Sequence, residues 1–374
     1  MAANANSTGH GLVARMSRAR QQITDLTFDP QLSRSYWPEE PRKSRSRVLG
    51  ELLWWMLRSG EVNNYYYVYG LDRKSAQRID LMPYRAFRRL RNKGNLRTGT
   101  AKYNYVCLLQ DKFLFSQLAS SLGIPTPKSI AMLDADAITW LDRNETLPLE
   151  SIVDPQLPML DGFCKKFDGI QGDGAFPLQA HAGELRVAGE PISIDALRQR
   201  LDGRFLFQQR IVQHPALAAL HPASVNTLRL ISFCNAGRAT VAFGALRVGT
   251  GSSNVDNWAA GGIIIGIDLE RGELRDDGFF KPGYGGRVRA HPDSGIRFEG
   301  FQIPQFDRAM TLVTRLHEFI PQVHSVGWDV AISAEGPVII EGNDDWEGGI
   351  PMVLEHDFKQ RFLAMCEPAS RRPS

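Results

Sequence analysis

The chain has 374 residues, of which 43% are hydrophobic and 23% charged, a balance that excludes a mainly disordered chain and allows two or three packed subdomains. No apolar run reaches the roughly 18 to 20 residues of a membrane-spanning helix; the best stretch, 48–57, is interrupted by Glu51 and ended by Arg58 and Gly60. The net charge of +3 conceals an asymmetry, since residues 1–102 carry 19 Lys and Arg against 8 Asp and Glu while the remainder carries 25 against 33. A basic front of this kind suits an anionic partner, and an acidic body suits cations.

Residues 1–47 are Arg-rich and punctuated by Pro30, Pro38 and Pro41, which predicts a loose arm with one helix near 12–26. The first two dozen residues lack the apolar core of a secretory signal, so a cytoplasmic location is expected. Residues 48–104 read as a helical, basic preface, with Leu49, Leu52, Leu53 and Met56 and later Tyr84, Phe87 and Leu90 on apolar faces. Its segment 73–102 holds ten Lys or Arg. Either it is an ordinary solvated helix face, or it meets an anionic acceptor or membrane surface; nucleic acid is not the expected partner.

The segment 111–123 places Leu114, Leu118 and Leu122 at helical spacing and closes on Gly123 before Pro125 and Pro127, which predicts a helix. Strand-like runs follow at 162–167, 205–212, 227–234, 240–248 and 262–269, then a helix at 306–320 and two further strands at 326–332 and 338–341. Many strands with few intervening helices predict an α+β fold with largely antiparallel sheets. The body is expected at 105–368, with a first subdomain at about 129–210 and a second at about 211–368. Cys107, Cys164, Cys234 and Cys366 form no C-x-x-C pair, against zinc and against a disulfide framework.

Four elements carry candidate chemistry. The runs 326–332 and 338–341 read as a hairpin about Glu335-Gly336-Pro337. Period-two alternation then turns Asp329, Glu341 and Asn343 to one side, where two carboxylates and an amide suit Mg2+, with Mn2+ as an alternative; turn residues and a solvated strand end are the plain reading. The string GFCKKFDGIQGDGA at 162–175 carries a lysine into a loop with Gly169, Gly172 and Gly174, able to close on phosphate or to act simply as a hairpin loop. The run 205–212 ends in Gln208, Gln209, Arg210 and Ile211, a strand end that offers polar groups to a flat ligand edge. In NTLR at 226–229, Arg229 can fork onto phosphate or form a surface ion pair. Between that strand and the hairpin lies a Gly- and Asp-rich stretch with Arg247, Asp256, Asn257, Gly261 and Gly262, expected as a loop over the reaction centre, where Arg247 could clamp a carboxylate. His291 and Asp293 precede another turn.

The order of these elements resembles the ATP-grasp superfamily over roughly 105–365. The strings HPASVNTLR (221–229), VDNWAAGG (255–262), HPDSG (291–295) and GWD (327–329) resemble the sugar-transfer-associated ATP-grasp group, itself similar to α-L-glutamate ligases. The resemblance implies two α+β subdomains gripping ATP. Lys112 and either Lys165 or Lys166 would meet its phosphates, Gly169, Gly172 and Gly174 would form the loop over them, and Gln208, Gln209 and Ile211 the adenine hinge. Arg229 would lie at the γ-phosphate, with Arg247 and Asn257 beside the acceptor. The expected activity is carboxylate–amine ligation through an acyl phosphate, associated with polysaccharide or glycoconjugate assembly. A kinase acting on a hydroxyl is the alternative, and a non-catalytic binding module a third reading.

Overall fold

The computed structural model describes residues 5–76, 80–96, 104–169 and 174–367, with side chains from Ala14 onward; Gly172 lies outside the described residues. The N-terminal part forms α1 (Ala5–Phe28), α2 (Arg45–Ser59) and α3 (Tyr84–Asn95). The preface is therefore not helical throughout. Helix α2 starts on the Ser44 side-chain cap and stops at Gly60, which takes φ +74°, and turns occupy most of 64–75. The arm expected to be loose is packed in its described part, because Ile23, Leu26 and Tyr36 enter an apolar cluster with Tyr66, Tyr67, Phe87, Trp346 and Phe362. Tyr67 Oη donates to Leu26 O at 2.6 Å, so the aromatic run at 65–69 binds α1 to the body.

Next come α4 (Cys107–Gln110) and α5 (Lys112–Ser121). Asp111 caps α5 by accepting from Leu114 N, and Gly123 follows with φ +65°, as an αL stop requires. The first sheet comprises β1 (Ser129–Leu133), β2 (Ala137–Trp140), β3 (Glu145–Pro148), β4 (Leu160–Lys166), β5 (Phe176–His181), β6 (Glu184–Val187) and β7 (Glu190–Pro191). Helix α6 (Ile194–Arg200) then leads into β8 (Phe205–Gln209). The strand order is β3-β2-β1-β8-β4-β5-β6-β7, antiparallel throughout. Strand β8 is three residues shorter than predicted, so Ile211 lies beyond it, where the chain leaves this sheet for the next.

Helix α7 (Pro215–Leu220) precedes β9 (Thr227–Asn235), β10 (Arg238–Val248), β11 (Ile263–Asp268), β12 (Glu273–Phe280) and β13 (Arg287–Val288). Helix α8 (Phe306–Phe319), the hairpin β14 (Ser325–Ile332) and β15 (Pro337–Asn343), α9 (Gly349–Leu354) and α10 (Phe358–Cys366) complete the fold. This second sheet is antiparallel, ordered β13-β12-β11-β10-β9-β14-β15. Its central strands alternate cleanly. Leu228, Leu230, Leu246, Trp328 and Val330 face the cluster formed with α8 and α5, while Ile231, Phe233, Phe243 and Ala245 face the aromatic cluster on the opposite side. Thr227, Arg229, Arg247 and Asp329 share that second face by the same two-residue period. One face of one sheet is thus apolar at one end and charged at the other.

Beneath the sheet, Trp328 Nε1 donates to Ser232 Oγ at 2.7 Å, Ser232 Oγ lies 2.6 Å from His317 Nδ1, and His317 Nε2 lies 2.8 Å from Val323 O. The chain is satisfied by a neutral imidazole, and burial holds the His317 pKa down at about 4. The unfolded chain takes up this proton near pH 6.5, so the contribution is present above about 6.5 and lost as pH falls toward 4. The loss is on the order of 3 kcal/mol. Urea unfolding at a series of pH values is expected to show this decline, with a shallower slope in His317→Gln; equal slopes would contradict it.

Candidate active site

Asp329 on β14 is paired in register with Arg229 on β9 and with Glu341 on β15. Arg229 grips it through two atoms, Nε to Oδ1 at 2.6 Å and Nη2 to Oδ2 at 3.1 Å, and Arg247 Nη2 adds a third contact at 3.1 Å. Asp329 is 3% exposed. Burial would push its carboxyl up, but the two guanidiniums outweigh burial and hold it below the usual carboxylate range. Arg247 is also fixed by Thr227 Oγ1, at 3.0 and 2.7 Å, and lies 3.5 Å from Asp256. Burial works against its charge, yet Asp256, Asp329 and Glu341 strengthen it. Asp256 accepts from Thr227 N at 3.0 Å and from the Thr227 hydroxyl; burial, only partly offset by Arg247, raises its pKa.

Arg247 lies on β10, inside the strand predicted at 240–248, and not in the loop that follows it. A buried arginine is tolerated in that strand because acids remote in sequence neutralise it. Asn257 is not drawn to Asp329 by any hydrogen bond among the described residues: its side chain caps the short turn 258–260 by accepting from Ala259 N at 3.0 Å. The preceding residue, Asp256, makes the ionic contact. Gly262 is required there, since a Cβ would stand 2.6 Å from Asp256 O.

Glu341 and Asn343 lie on the Asp329 side of the hairpin, as expected, and a register shift between Asp329 and Val330 is what pairs Asp329 with Glu341. Asn343 Nδ2 donates to Gly327 O and to Glu341 Oε1, both at 3.3 Å, leaving the amide oxygen with no donor among the described residues. Carboxylates directly opposite on adjacent strands repel, and Asp329 and Glu341 stand opposite each other on β14 and β15. Two adjoining carboxylates and a free amide oxygen fit a hard divalent cation.

The other wall comes from the first sheet. Lys165 on β4 is surrounded by Glu341, Lys112 and Asp329; burial outweighs the two acids and holds its pKa below the usual lysine value. Lys166, its neighbour, points the opposite way and pairs with Asp202 at 3.0 Å. Of the two candidates, Lys165 is thus the one directed at the carboxylates. Lys112 Nζ donates to Gly169 O, and Phe113 stacks on Phe167 at 5.5 Å, so the start of α5 holds the entrance of the Gly-rich loop. Gly174 takes φ +70° at the loop's far end.

On the Lys165 side of the sheet, Lys165 pairs with Leu206 and Phe163 with Gln208. Gln208 is buried, with Nε2 at 3.4 Å from Pro127 O and 3.3 Å from Ser129 Oγ. Gln209 is exposed and Ile211 half-buried. The three hinge candidates therefore lie along the exit of β8 with only Gln208 facing inward.

His291 is part of the scaffold. Its Nε2 lies 2.8 Å from Gly249 O, and its Nδ1 accepts from Asp293 N and Ser294 N at 3.3 and 3.4 Å. His221 reaches Ser253 O at 2.9 Å, and Asp293 accepts from Gly251 N at 2.6 Å. His221, His291 and Asp293 cluster tightly enough for a metal, but these bonds occupy both His291 nitrogens and His221 Nε2, leaving His221 Nδ1 at 3.9 Å from Asp293 Oδ2, and the group ties down the turn after β10.

Two features were not read from the sequence. Asn95, fully inside at the end of α3, donates to Ser325 O at 2.9 Å and Asp344 O at 2.7 Å and accepts from Ser325 N at 2.8 Å, bridging both strands of the metal-side hairpin. Arg91 donates to Trp346 O and pairs with Asp345. Trp346 in turn packs on Gly327, where a Cβ would stand 2.6 Å from Trp346 Cβ. The run at 65–69 was the available signal, since four tyrosines and a valine rarely face water together. Asn95 gave none. A cavity of about 410 Å³ lies elsewhere: Trp37, Tyr69, Phe279, Met352 and Lys359 line it, and no metal-side residue does. The site is defined by converging side chains.

The profile of the sugar-transfer-associated ATP-grasp family matches residues 92–366. The chain belongs to this family, and so to the ATP-grasp superfamily, whose enzymes use ATP and Mg2+ in general. Among solved structures, the chain is similar to N5-carboxyaminoimidazole ribonucleotide synthetase from Thermotoga maritima, at 12% identity over 70% of this chain and 50% of that one, with a TM-score of 0.37. It is similar to D-alanine-D-alanine ligase from Helicobacter pylori at 12% identity, over 71% and 62% of the two chains, with a TM-score of 0.38. The ATP-grasp ligase PsnB, complexed with minimal precursor, Mg and ADP, aligns at 12% identity over 69% and 59%, with a TM-score of 0.34. The match thus spans one half to under two thirds of those chains. None of the curated proteins matches the sequence.

Proposed function

We propose that the protein is an ATP-dependent carboxylate–amine ligase. The carrying observation is the convergence of Asp329, Glu341 and Asn343, from one sheet, with half-buried Lys165, from the other. Cations from the first sheet suit phosphate, and acidic oxygens from the second suit Mg2+ or Mn2+, as a metal–nucleotide complex requires. When bound, the ion would neutralise charge on the phosphate oxygens. Lys112 and Lys165 supply positive charge on the opposite side, while Arg229 and Arg247 keep Asp329 ionised and fixed in plane. In the reaction the γ-phosphoryl group passes to a carboxylate oxygen, giving ADP and an acyl phosphate. The amine nitrogen then attacks the carbonyl carbon, the C–O bond to phosphate breaks, and the nitrogen loses a proton. No side-chain nucleophile is needed. The family description supports a place in polysaccharide or glycoconjugate assembly, in the cytoplasm.

Trapping with hydroxylamine tests the reading. With the correct acid present, hydroxamate is expected to accumulate in step with ADP. A stable phosphorylated product that hydroxylamine does not intercept would replace ligation by a kinase reaction.

A further inference from the structure

The N-terminal helices leave an apolar stripe uncovered. On α2, Val48 and Leu52 are buried, while Leu53, Trp54 and Leu57 are 40%, 53% and 81% exposed. Successive helical residues are 100° apart, so these three lie on one side, with Arg47 and Arg58 at its border. The Arg58 guanidinium lies 5.1 Å above the Trp54 ring. Phe28, at the end of α1, is also exposed and has Arg45 above its ring at 6.0 Å.

The charge beside this stripe has one sign. Helix α3 exposes Arg85, Arg88, Arg89 and Lys93 and contains no acid. Glu61 joins the two helices by accepting from Arg85 N at 3.0 Å and from Tyr84 N, and Gly60 lies beside the Arg85 guanidinium. The exposed face of α3 therefore adjoins the end of the stripe. Glu51, the single acid of α2, is occupied by Lys43 and Arg47. Among the described residues, Arg88, Arg89 and Lys93 have no acidic partner.

We propose that this face seats the protein on an anionic lipid bilayer, with Trp54, Leu57 and Leu53 entering the interface and the cations of α2 and α3 lying over the headgroups. No helix among the described residues is long and apolar enough to cross a membrane, so the attachment is peripheral. Stable peripheral binding takes two signals, apolar insertion and a basic patch, and both are present. A nucleic-acid backbone would satisfy the arginines but leave the aliphatic side chains in water. Indole at a bilayer interface satisfies ring and N–H together.

Vesicle flotation of the full chain tests this. Phosphatidylcholine vesicles containing phosphatidylglycerol are expected to carry the protein at least about tenfold better than phosphatidylcholine alone, with strong attenuation by salt. Each cation near such a surface strengthens partitioning about fivefold, so Arg88→Gln with Arg89→Gln should weaken it roughly 20-fold. Trp54→Ser with Leu57→Ser should weaken it at least about tenfold. All four side chains are exposed, so the melting temperature should not move. Equal flotation on neutral vesicles, or unchanged flotation of both double variants, overturns the proposal. So does a dimer that the Trp54→Ser, Leu57→Ser variant converts to monomer, or a nucleic-acid duplex that displaces the protein from vesicles at low salt.

Discussion

Asp329→Asn is expected to cost about a thousandfold in magnesium-dependent ADP release and to destabilise the protein in the same step. The stability loss follows from Arg229, whose Nε and Nη2 both rest on this carboxylate in a position 9% exposed. Removing one partner of a buried pair leaves a charge uncompensated, at about 3 to 5 kcal/mol. Arg247 keeps Asp256 as a second acid and asparagine keeps one acceptor oxygen, so the lower end, about 3 kcal/mol, is expected. Glu341→Gln separates the two effects. It removes an oxygen ligand but also relieves the repulsion with Asp329, so ADP release should fall comparably while the unfolding free energy stays within about 1 kcal/mol. Urea unfolding of both variants beside an ADP-release assay checks this; full activity in Asp329→Asn would reject the metal-side assignment.

Lys165→Met is expected to weaken binding of a non-hydrolysable ATP analogue about 100-fold, whereas Lys166→Met should change it less than about threefold. A charge-assisted contact to phosphate in a water-poor site is worth about 2 to 3 kcal/mol, and Lys165, half-buried, faces Glu341 and Asp329. Lys166 forms an ion pair with the exposed Asp202, of a kind worth about 0 to 1 kcal/mol. Because burial holds the Lys165 pKa down, its charge, and nucleotide affinity with it, should be lost on the alkaline side before an ordinary lysine titrates. Titration calorimetry of both variants decides the matter: a larger loss from Lys166→Met would place the phosphates on the other side of β4.

A register shift beside Val330 is what pairs Asp329 with Glu341, whereas a two-residue period sets Glu341 and Asn343 on one side of their own strand from the sequence alone. The same holds for the cap at Asp111 and the stop at Gly123, which are local chemistry. Arg247 resisted such reading: the run 240–248 puts it on a strand, but nothing within that strand shows that Thr227, Asp256 and Asp329 will hold it. The choice between Lys165 and Lys166 was closed to the sequence for a related reason, since adjacent residues on a strand point apart and only the placement of the sheet says which direction is inward. The Arg-rich arm looked loose because its burial depends on Tyr67, Phe87 and Phe362, residues that no local pattern joins to it.

The sequence by itself determined the order of chemical elements along the chain, the antiparallel α+β character and the common side of Glu341 and Asn343, because these depend on interactions between residues a few positions apart. Tertiary structure alone decided which lysine faces the carboxylates, that two arginines rather than one hold Asp329, and that Asn95 on an N-terminal helix spans the hairpin's strands. Those outcomes rest on contacts between residues about 80 to 250 positions apart, where the free energy of burial and charge pairing is set by partners the local sequence does not specify.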